Sequence, residues 1–179
     1  MQLKRIALIG TSSVGKTTVF ELLKSRLPKY EFITETTRTV KKYGYPINEH
    51  GTDNTQLAIS NLHLNSLLLP YNLVLDRCYL DLVVYTMLMS NVGIHTKSFI
   101  QNMWEKVQDH YTHIIYFPIE FKVVEDGVRS TDETWRENVD NRFKEELTKL
   151  NRQYLTIKGS PLQRVDQILN YIEHEKRSR

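Results

Sequence analysis

Gly10-Thr11-Ser12-Ser13-Val14-Gly15-Lys16-Thr17 reads as a complete G-x-x-x-x-G-K-[ST] string. Directly before it stands a short apolar run, Ile6-Ala7-Leu8-Ile9, with the composition of a buried strand. Behind it, Thr18 to Leu27 has helical spacing. A strand that runs through a glycine-bearing loop into a helix presents backbone N–H groups, reinforced by the helix dipole, to an anion. In that setting Gly10 makes the turn, and the N–H groups from Ser12, Ser13, Val14 and Gly15 to Thr18 cradle a polyphosphate. Lys16 reaches the β- and γ-phosphates, and the Thr17 hydroxyl ligates Mg²⁺. The stretch predicts a P-loop site for a nucleoside triphosphate.

The 179 residues fit a single domain, 1–179, long enough to bury roughly 70% of the surface of the unfolded chain. No apolar run approaches the ~20 residues of a membrane span, so no membrane partner is expected. The chain enters its first strand at once, without room for a leader, and its one cysteine, Cys78, has no partner for a disulfide. A reducing, cytoplasmic setting is the expectation. A net charge of +3 is too small to argue for nucleic acid by itself.

Short β-like runs alternate with helical ones. The former are Lys4–Ile9, Glu31–Thr34, Asn72–Asp76, His113–Phe117 and Tyr154–Ile157. Between and after them, Asp53–Leu69, Tyr79–Ser90, Lys97–Asp109, Thr131–Leu150 and Pro161–Lys176 carry apolar residues three and four apart. The pattern predicts an α/β fold, a parallel five-stranded sheet flanked by helices, with ligands at the carboxyl ends of the strands. Among the six histidines no metal spacing appears.

The reaction class follows from what surrounds the loop. The guanine-reading N-K-x-D string is absent, which argues against a GTPase. The strand Leu73-Val74-Leu75-Asp76 ends like a second metal-site strand, but Arg77 follows where hydrolytic ATPases place a glutamate to activate water. A guanidinium is no base, yet its forked donors suit an anionic or hydroxyl-rich acceptor. The expected chemistry is phosphate transfer from ATP to a bound molecule.

Asp76-Arg77-Cys78-Tyr79-Leu80-Asp81 with Tyr85 resembles the D-R-x-x-x-S-x-x-x-Y segment of thymidylate kinases and the E-R-S segment of deoxynucleoside kinases; Asp81 stands where those families usually have serine. Pro118 to Asp140, with Asp126-Gly127-Val128-Arg129-Ser130 and Arg136, looks like the arginine-bearing lid of ribosylnicotinamide-kinase-like P-loop proteins, here about residues 119–140. Thr34-Glu35-Thr36-Thr37-Arg38 is similar to the glutamate and arginine of that group. Ile157-Lys158-Gly159-Ser160-Pro161 is similar to its adenine-bordering loop, which implies nucleotide contacts at Gly159 and Pro161. The resemblance to P-loop nucleoside and nucleotide kinases implies ATP and Mg²⁺ as cofactors.

Catalytic expectations fall on Lys16, Glu35, Asp76, Arg129 and Arg136. Glu35 is placed to take or orient a hydroxyl proton. Asp76 joins Thr17 in holding Mg²⁺ or shares the base role. Arg129 lies in a loop beside Gly127 and swings over the phosphates, because Ser130-x-x-Glu133 reads as a capping box that starts the helix at Thr131. Arg136 projects from the first turns of that helix, with an exposed pair to Asp140 as the alternative. Arg142 is expected to pair with Glu145 or Glu146.

On the acceptor side stand Glu35, Arg38, Gln56, Arg77 and Asp81. Gln56 is either a base-reading side chain or part of an Asp53-x-x-Gln56 cap. A monophosphate acceptor calls for Arg38 and Arg77, a hydroxyl for Glu35. The leading expectation is a small nucleoside or deoxynucleoside monophosphate acceptor. Ribosylnicotinamide, or a hydroxylated base or end in DNA, is the alternative, and a non-catalytic ATP-binding regulator is a reading of another class. Nucleic acid is the less favoured partner, since the only basic run, Lys41-Lys42 near Lys29 and Arg38, is thin. A homodimer is compatible with the chain.

Overall fold

Runs of Ile, Leu and Val that are apolar on both sides need cover on both faces, and the sheet receives it. The computed structural model describes residues 3–120 and 132–177. Its strands are β1 (Arg5–Ile9), β2 (Glu31–Ile33), β3 (Leu73–Asp76), β4 (His113–Tyr116) and β5 (Leu155–Thr156). They form one parallel sheet in the order β2-β3-β1-β4-β5. The helices are α1 (Lys16–Arg26), α2 (Thr36–Lys42), α3 (Asp53–Leu67), α4 (Tyr79–Leu88), α5 (Ile94–Val107), α6 (Glu133–Thr148) and α7 (Pro161–Arg177). Single 3₁₀ turns stand at Asn48–His50 and Gln108–His110.

Alternation along the strands divides the core in two. Ala7, Ile9, Leu73, Leu75, Ile114 and Tyr116 face α3 to α6, packing with Ile59, Val83, Ile100, Trp104 and Phe143. Ile6, Leu8, Val74 and Ile115 face α1 and α7, against Phe20, Leu23, Val165 and Ile168. Helix α4 is apolar nearly all round because it lies between other elements, with Leu80, Leu82, Val83 and Val84 buried. Among the described residues no helix is long and apolar enough to cross a membrane.

Register decides where the chemistry sits. Leu8 of β1 lies beside Asp76 of β3, so the second strand end opens next to the loop that leaves the first. This is the crevice outside the carboxyl ends of the strands, where α/β sheets bind ligands.

All five expected strands form, trimmed by one or two residues at their ends. Helix starts differ more. Helix α6 is capped by Asp132, whose carboxylate accepts from Trp135 N at 3.0 Å, so it begins at Glu133 rather than Thr131. A carboxylate next to the first turn is a stronger cap than a hydroxyl two residues earlier. Helix α3 is capped by Thr52 with Thr55, and Asp53 instead accepts from Gly93 N at 3.0 Å. The cap reading of Gln56 is thereby overturned. Helix α2 is additional: β2 stops at Ile33, and Glu35 is the residue that precedes the helix.

Candidate active site

The loop between β1 and α1, residues 10–15, needs left-handed backbone at three places, Gly10 (φ 138°), Ser13 (φ 54°) and Gly15 (φ 85°). Gly10 also lies where a Cβ would come within 2.5 Å of the Phe117 carbonyl oxygen, so the close approach of the loop and the residue that follows β4 excludes any side chain. Cationic side chains then take the loop carbonyls in turn. Lys16 Nζ donates to Gly10 O (2.8 Å) and Thr11 O (2.6 Å). Arg136 Nε donates to Ser12 O (3.0 Å) and its Nη2 to Ser13 O (3.4 Å). Arg164 Nη1 donates to Val14 O (2.6 Å). With the carbonyls drawn to these cations, the loop becomes an anion-binding concavity. Its cavity is lined by Ser12, Ser13, Val14, Gly15, Lys16, Thr17, Glu35, Asp76 and Arg77.

Lys16 is buried, and burial together with the nearby Arg77 charge lowers its pKa to about 7, against the pull of Asp76, Asp81 and Glu35. Its two carbonyl bonds hold the ammonium at the cavity until phosphate oxygens can replace them. Thr18, by contrast, sits on the exposed outer side of α1 and does not line the cavity.

Thr17 Oγ1 donates to Asp76 Oδ2 at 3.1 Å. Among the described residues Asp76 Oδ1 is buried and has no hydrogen-bond partner, and burial raises the carboxyl's pKa, with Lys16 opposing. A hydroxyl and an orphaned carboxylate oxygen beside a phosphate cavity are the donor set that Mg²⁺ takes from a protein when phosphates and waters complete its shell. The residues present therefore fit the metal.

Glu35 and Arg77 form the wall between this cavity and a second crevice, since both line each of them. Arg77 adopts φ 79°, a costly conformation for a bulky residue, and its N–H donates to Leu8 O at 3.0 Å. That turn sends its side chain into the crevice. There Nε donates to Glu35 Oε1 (2.6 Å) and Nη1 to Asp81 Oδ1 (3.3 Å), while the Tyr85 ring lies 5.2 Å from the guanidinium. Arg38 Nε stands 3.5 Å from Glu35 Oε2. Burial favours protonation of Glu35, but Arg77, Lys16 and Arg38 outweigh it and hold its pKa below the usual 4.5.

The second crevice encloses ≈ 40 Å³ and is lined by Thr37, Ile47, Asn48, Gln56, His63 and Asp81 among others. Gln56 faces it, with Oε1 accepting from Thr86 Oγ1 (3.0 Å) and Nε2 donating to Met89 Sδ (3.1 Å). Asp81, at the first turn of α4, accepts from Cys78 N at 2.8 Å. Tyr85 lines the crevice, Tyr79 is buried, and Tyr43, Tyr45 and Tyr71 are exposed.

Arg136 is fully buried on the phosphate loop and pairs with Glu133, not with Asp140 on an open face. Asp140 takes Tyr116 OH and Lys144 instead, and Arg142 pairs with both Glu145 and Glu146 as expected. Arg129, with the Gly127 loop around it, lies outside the described residues. Gly159 (φ 100°) borders a separate groove with Glu120, Lys158 and Gln163, next to the exposed Pro161 that opens α7.

Two residues of the site were not singled out by sequence. Arg164 ties Gly159 O (2.9 Å) and Glu120 to the phosphate loop. It shares a stripe with Ile168 and Ile172, and a cation on an apolar stripe is the signal for it. His63, buried in the crevice with Nε2 3.3 Å from Thr36 Oγ1, continues the polar line Gln56, Ser60, His63 on α3. Burial, then Arg77, lowers its pKa to about 3.

A family model described as an AAA domain matches residues 5–164. No curated protein sequence matches the chain. Among solved structures, deoxyadenosine kinase from M. mycoides is similar at a TM-score of 0.72 and 16% identity, over 95% of this chain and 98% of that one. NadR in complex with NR is similar at 0.77 and 16%, over 95% of this chain and 52% of that one, so the chain spans about half of NadR. Thymidylate kinase from Candida albicans is similar at 0.69 and 15%, over 98% and 93%. The phosphate loop, the sheet order and the matched residues lead to one conclusion: the chain belongs to this AAA-domain family, with the fold of the P-loop nucleotide kinases.

Proposed function

We propose that the chain is an ATP-dependent kinase that moves the γ-phosphate of ATP to a nucleoside or nucleoside monophosphate. The observation that carries this reading is the shared wall. Glu35 and Arg77 line both the phosphate cavity and the crevice behind it, so a molecule in the crevice meets the γ-phosphate across them. A hydrolase needs only a water beyond the phosphate; a separate crevice lined by Gln56, His63 and Asp81 suits a larger acceptor. The similarity to deoxyadenosine kinase and thymidylate kinase supports the same class.

In this reading Lys16 leaves the Gly10 and Thr11 carbonyls for the β- and γ-phosphates, and the loop N–H groups hold the β-phosphate. Thr17 and Asp76 would hold Mg²⁺, which would supply charge neutralisation to the phosphates. Arg77 and Glu35 position the acceptor, and Glu35 receives its proton where there is one to lose. Arg129 is assigned to the closing lid, where it excludes water and meets charge in the reacting state. At ≈ 40 Å³ the crevice holds only a few waters at about 10–15 Å³ each, so an acceptor requires it to widen.

The test is ATP-dependent phosphorylation of a panel of nucleosides, nucleoside monophosphates, ribosylnicotinamide and short DNA, with Lys16→Ala as the control. Loss of this cation is expected to lower kcat about 10²–10³-fold. A folded Lys16→Ala protein with unchanged turnover rejects the assignment.

A further inference from the structure

The acceptor crevice contains one guanidinium and two carboxylates. Arg77 is the only Lys or Arg lining it among the described residues; its Nε is engaged by Glu35 at 2.6 Å and its Nη1 by Asp81 at 3.3 Å and Gly10 O at 3.4 Å. Its face is covered by Tyr85 at 5.2 Å. Arg38, on the outer side, is set against Glu35 at 3.5 Å. Asp81 cannot swing away, because its second oxygen takes the Cys78 N–H at 2.8 Å in the first turn of α4.

Resting on the kinase reading above, we infer that the site takes an uncharged acceptor through its hydroxyl and turns away acceptors already bearing a phosphate, with Asp81 enforcing the choice. A monophosphate is largely dianionic at neutral pH, since its second pKa is about 6. In this crevice it would meet two carboxylates. To gain this cation it must compete with Glu35 and Asp81 for Arg77, which weakens the buried Glu35–Arg77 pair. Burial raises Asp81 only to about 6, with Arg77 and Lys16 opposing, so it is ionised above neutrality and adds repulsion. A serine at this place would carry no such charge. Rejecting the wrong substrate with a fixed like charge is an ordinary route to specificity.

A hydroxyl meets none of this opposition, and Glu35 supplies what it needs. The hydroxyl oxygen attacks the γ-phosphorus, forming the new O–P bond. The bond from that phosphorus to the bridging oxygen breaks, and its electron pair leaves on ADP. The hydroxyl proton passes to Glu35 and then to solvent, so acceptor plus ATP gives the phosphoester, ADP and one proton.

The experiment compares kcat/KM, with ATP and Mg²⁺, for the deoxy- and ribonucleosides and their 5′-monophosphates in the wild type, Asp81→Ser and Asp81→Asn. The best nucleoside is expected to exceed its monophosphate by roughly 10²–10³-fold, the scale of several kcal/mol for like charges brought together. Both substitutions are expected to narrow that ratio by about tenfold or more. Asp81→Asn keeps an oxygen for the Cys78 N–H and tests the charge if the serine variant fails to fold. Wild-type protein that prefers monophosphates overturns the inference while leaving the kinase reading in place. An unchanged ratio in a folded variant removes Asp81 as its cause. Turnover of neither series overturns both readings.

Discussion

Glu35 Oε1 accepts from Arg77 Nε at 2.6 Å, a contact between residues 42 apart in the chain. It joins the start of α2 to the end of β3 and sets a charged carboxylate against the acceptor crevice. Because Arg77 and Lys16 outweigh burial, Glu35 is ionised throughout the neutral range and is available to a proton.

Glu35→Gln keeps size and hydrogen bonding but removes the proton acceptor. With a nucleoside the expected loss in kcat is about 10²–10⁴-fold. With a monophosphate, whose attacking oxygen carries no proton, the effect on chemistry is expected to be small. Steady-state kinetics on both acceptors decides it, and a small effect on the best nucleoside moves the base role to Asp76.

Asp76→Asn removes the charge from the orphaned oxygen while preserving the Thr17 contact. The Mg²⁺ concentration for half-maximal rate is expected to rise about 10–100-fold. Turnover that persists in excess chelator contradicts the metal assignment.

Arg136→Ala strips Ser12 and Ser13 of a buried donor. The expected stability loss is roughly 1–3 kcal/mol for carbonyls left unsatisfied, read by denaturant unfolding. KM for ATP is expected to rise more than kcat falls, because the loop loses its shape before any chemistry begins. A selective loss of kcat would instead mark Arg136 as acting in the reacting state, as expected of Arg129.

His63 supplies a pH test. Its folded pKa is lowered to about 3, so the unfolded chain binds this proton more tightly between there and 6.5. The neutral ring's contribution is fully present above 6.5 and is lost as pH falls toward 3. Relative to His63→Gln, wild-type stability is expected to drop by about 1.4 kcal/mol per pH unit below 6.5. Asp81, raised to about 6, acts with the opposite sign, its contribution being present below 3.8 and lost as pH rises through 6. It is common to both proteins and cancels in the difference. Parallel stability curves for the two proteins contradict the buried, neutral assignment.

Much of the fold was legible because it rests on local pattern. Ile6 to Ile9 announces a strand buried on both faces, and Gly10, Gly15, Lys16 and Thr17 announce the loop. Helix α2 was not legible, since Thr36 to Lys42 has no apolar stripe and is held by what precedes it. The site was legible as residue types rather than contacts. Arg77 and Glu35 were both singled out, but nothing in either neighbourhood states that they meet. Arg164 resembles an ordinary solvated arginine until its stripe with Ile168 and Ile172 is counted.

The clamp on the phosphate loop carries a consequence for how the chain acquires its activity. Arg136 reaches Ser12 across 124 residues, and Arg164 reaches Val14 across 150. Closing such distances is slow relative to forming a strand and its adjacent helix. A nascent or partly refolded chain with β1 and α1 in place therefore lacks the donors that shape its nucleotide site. On the kinase reading, ATP is expected to recognise the completed fold alone, and saturating nucleotide to draw the folding equilibrium toward it with the logarithm of ligand concentration. Loss of α7 docking would silence the first motif of the chain from its far end.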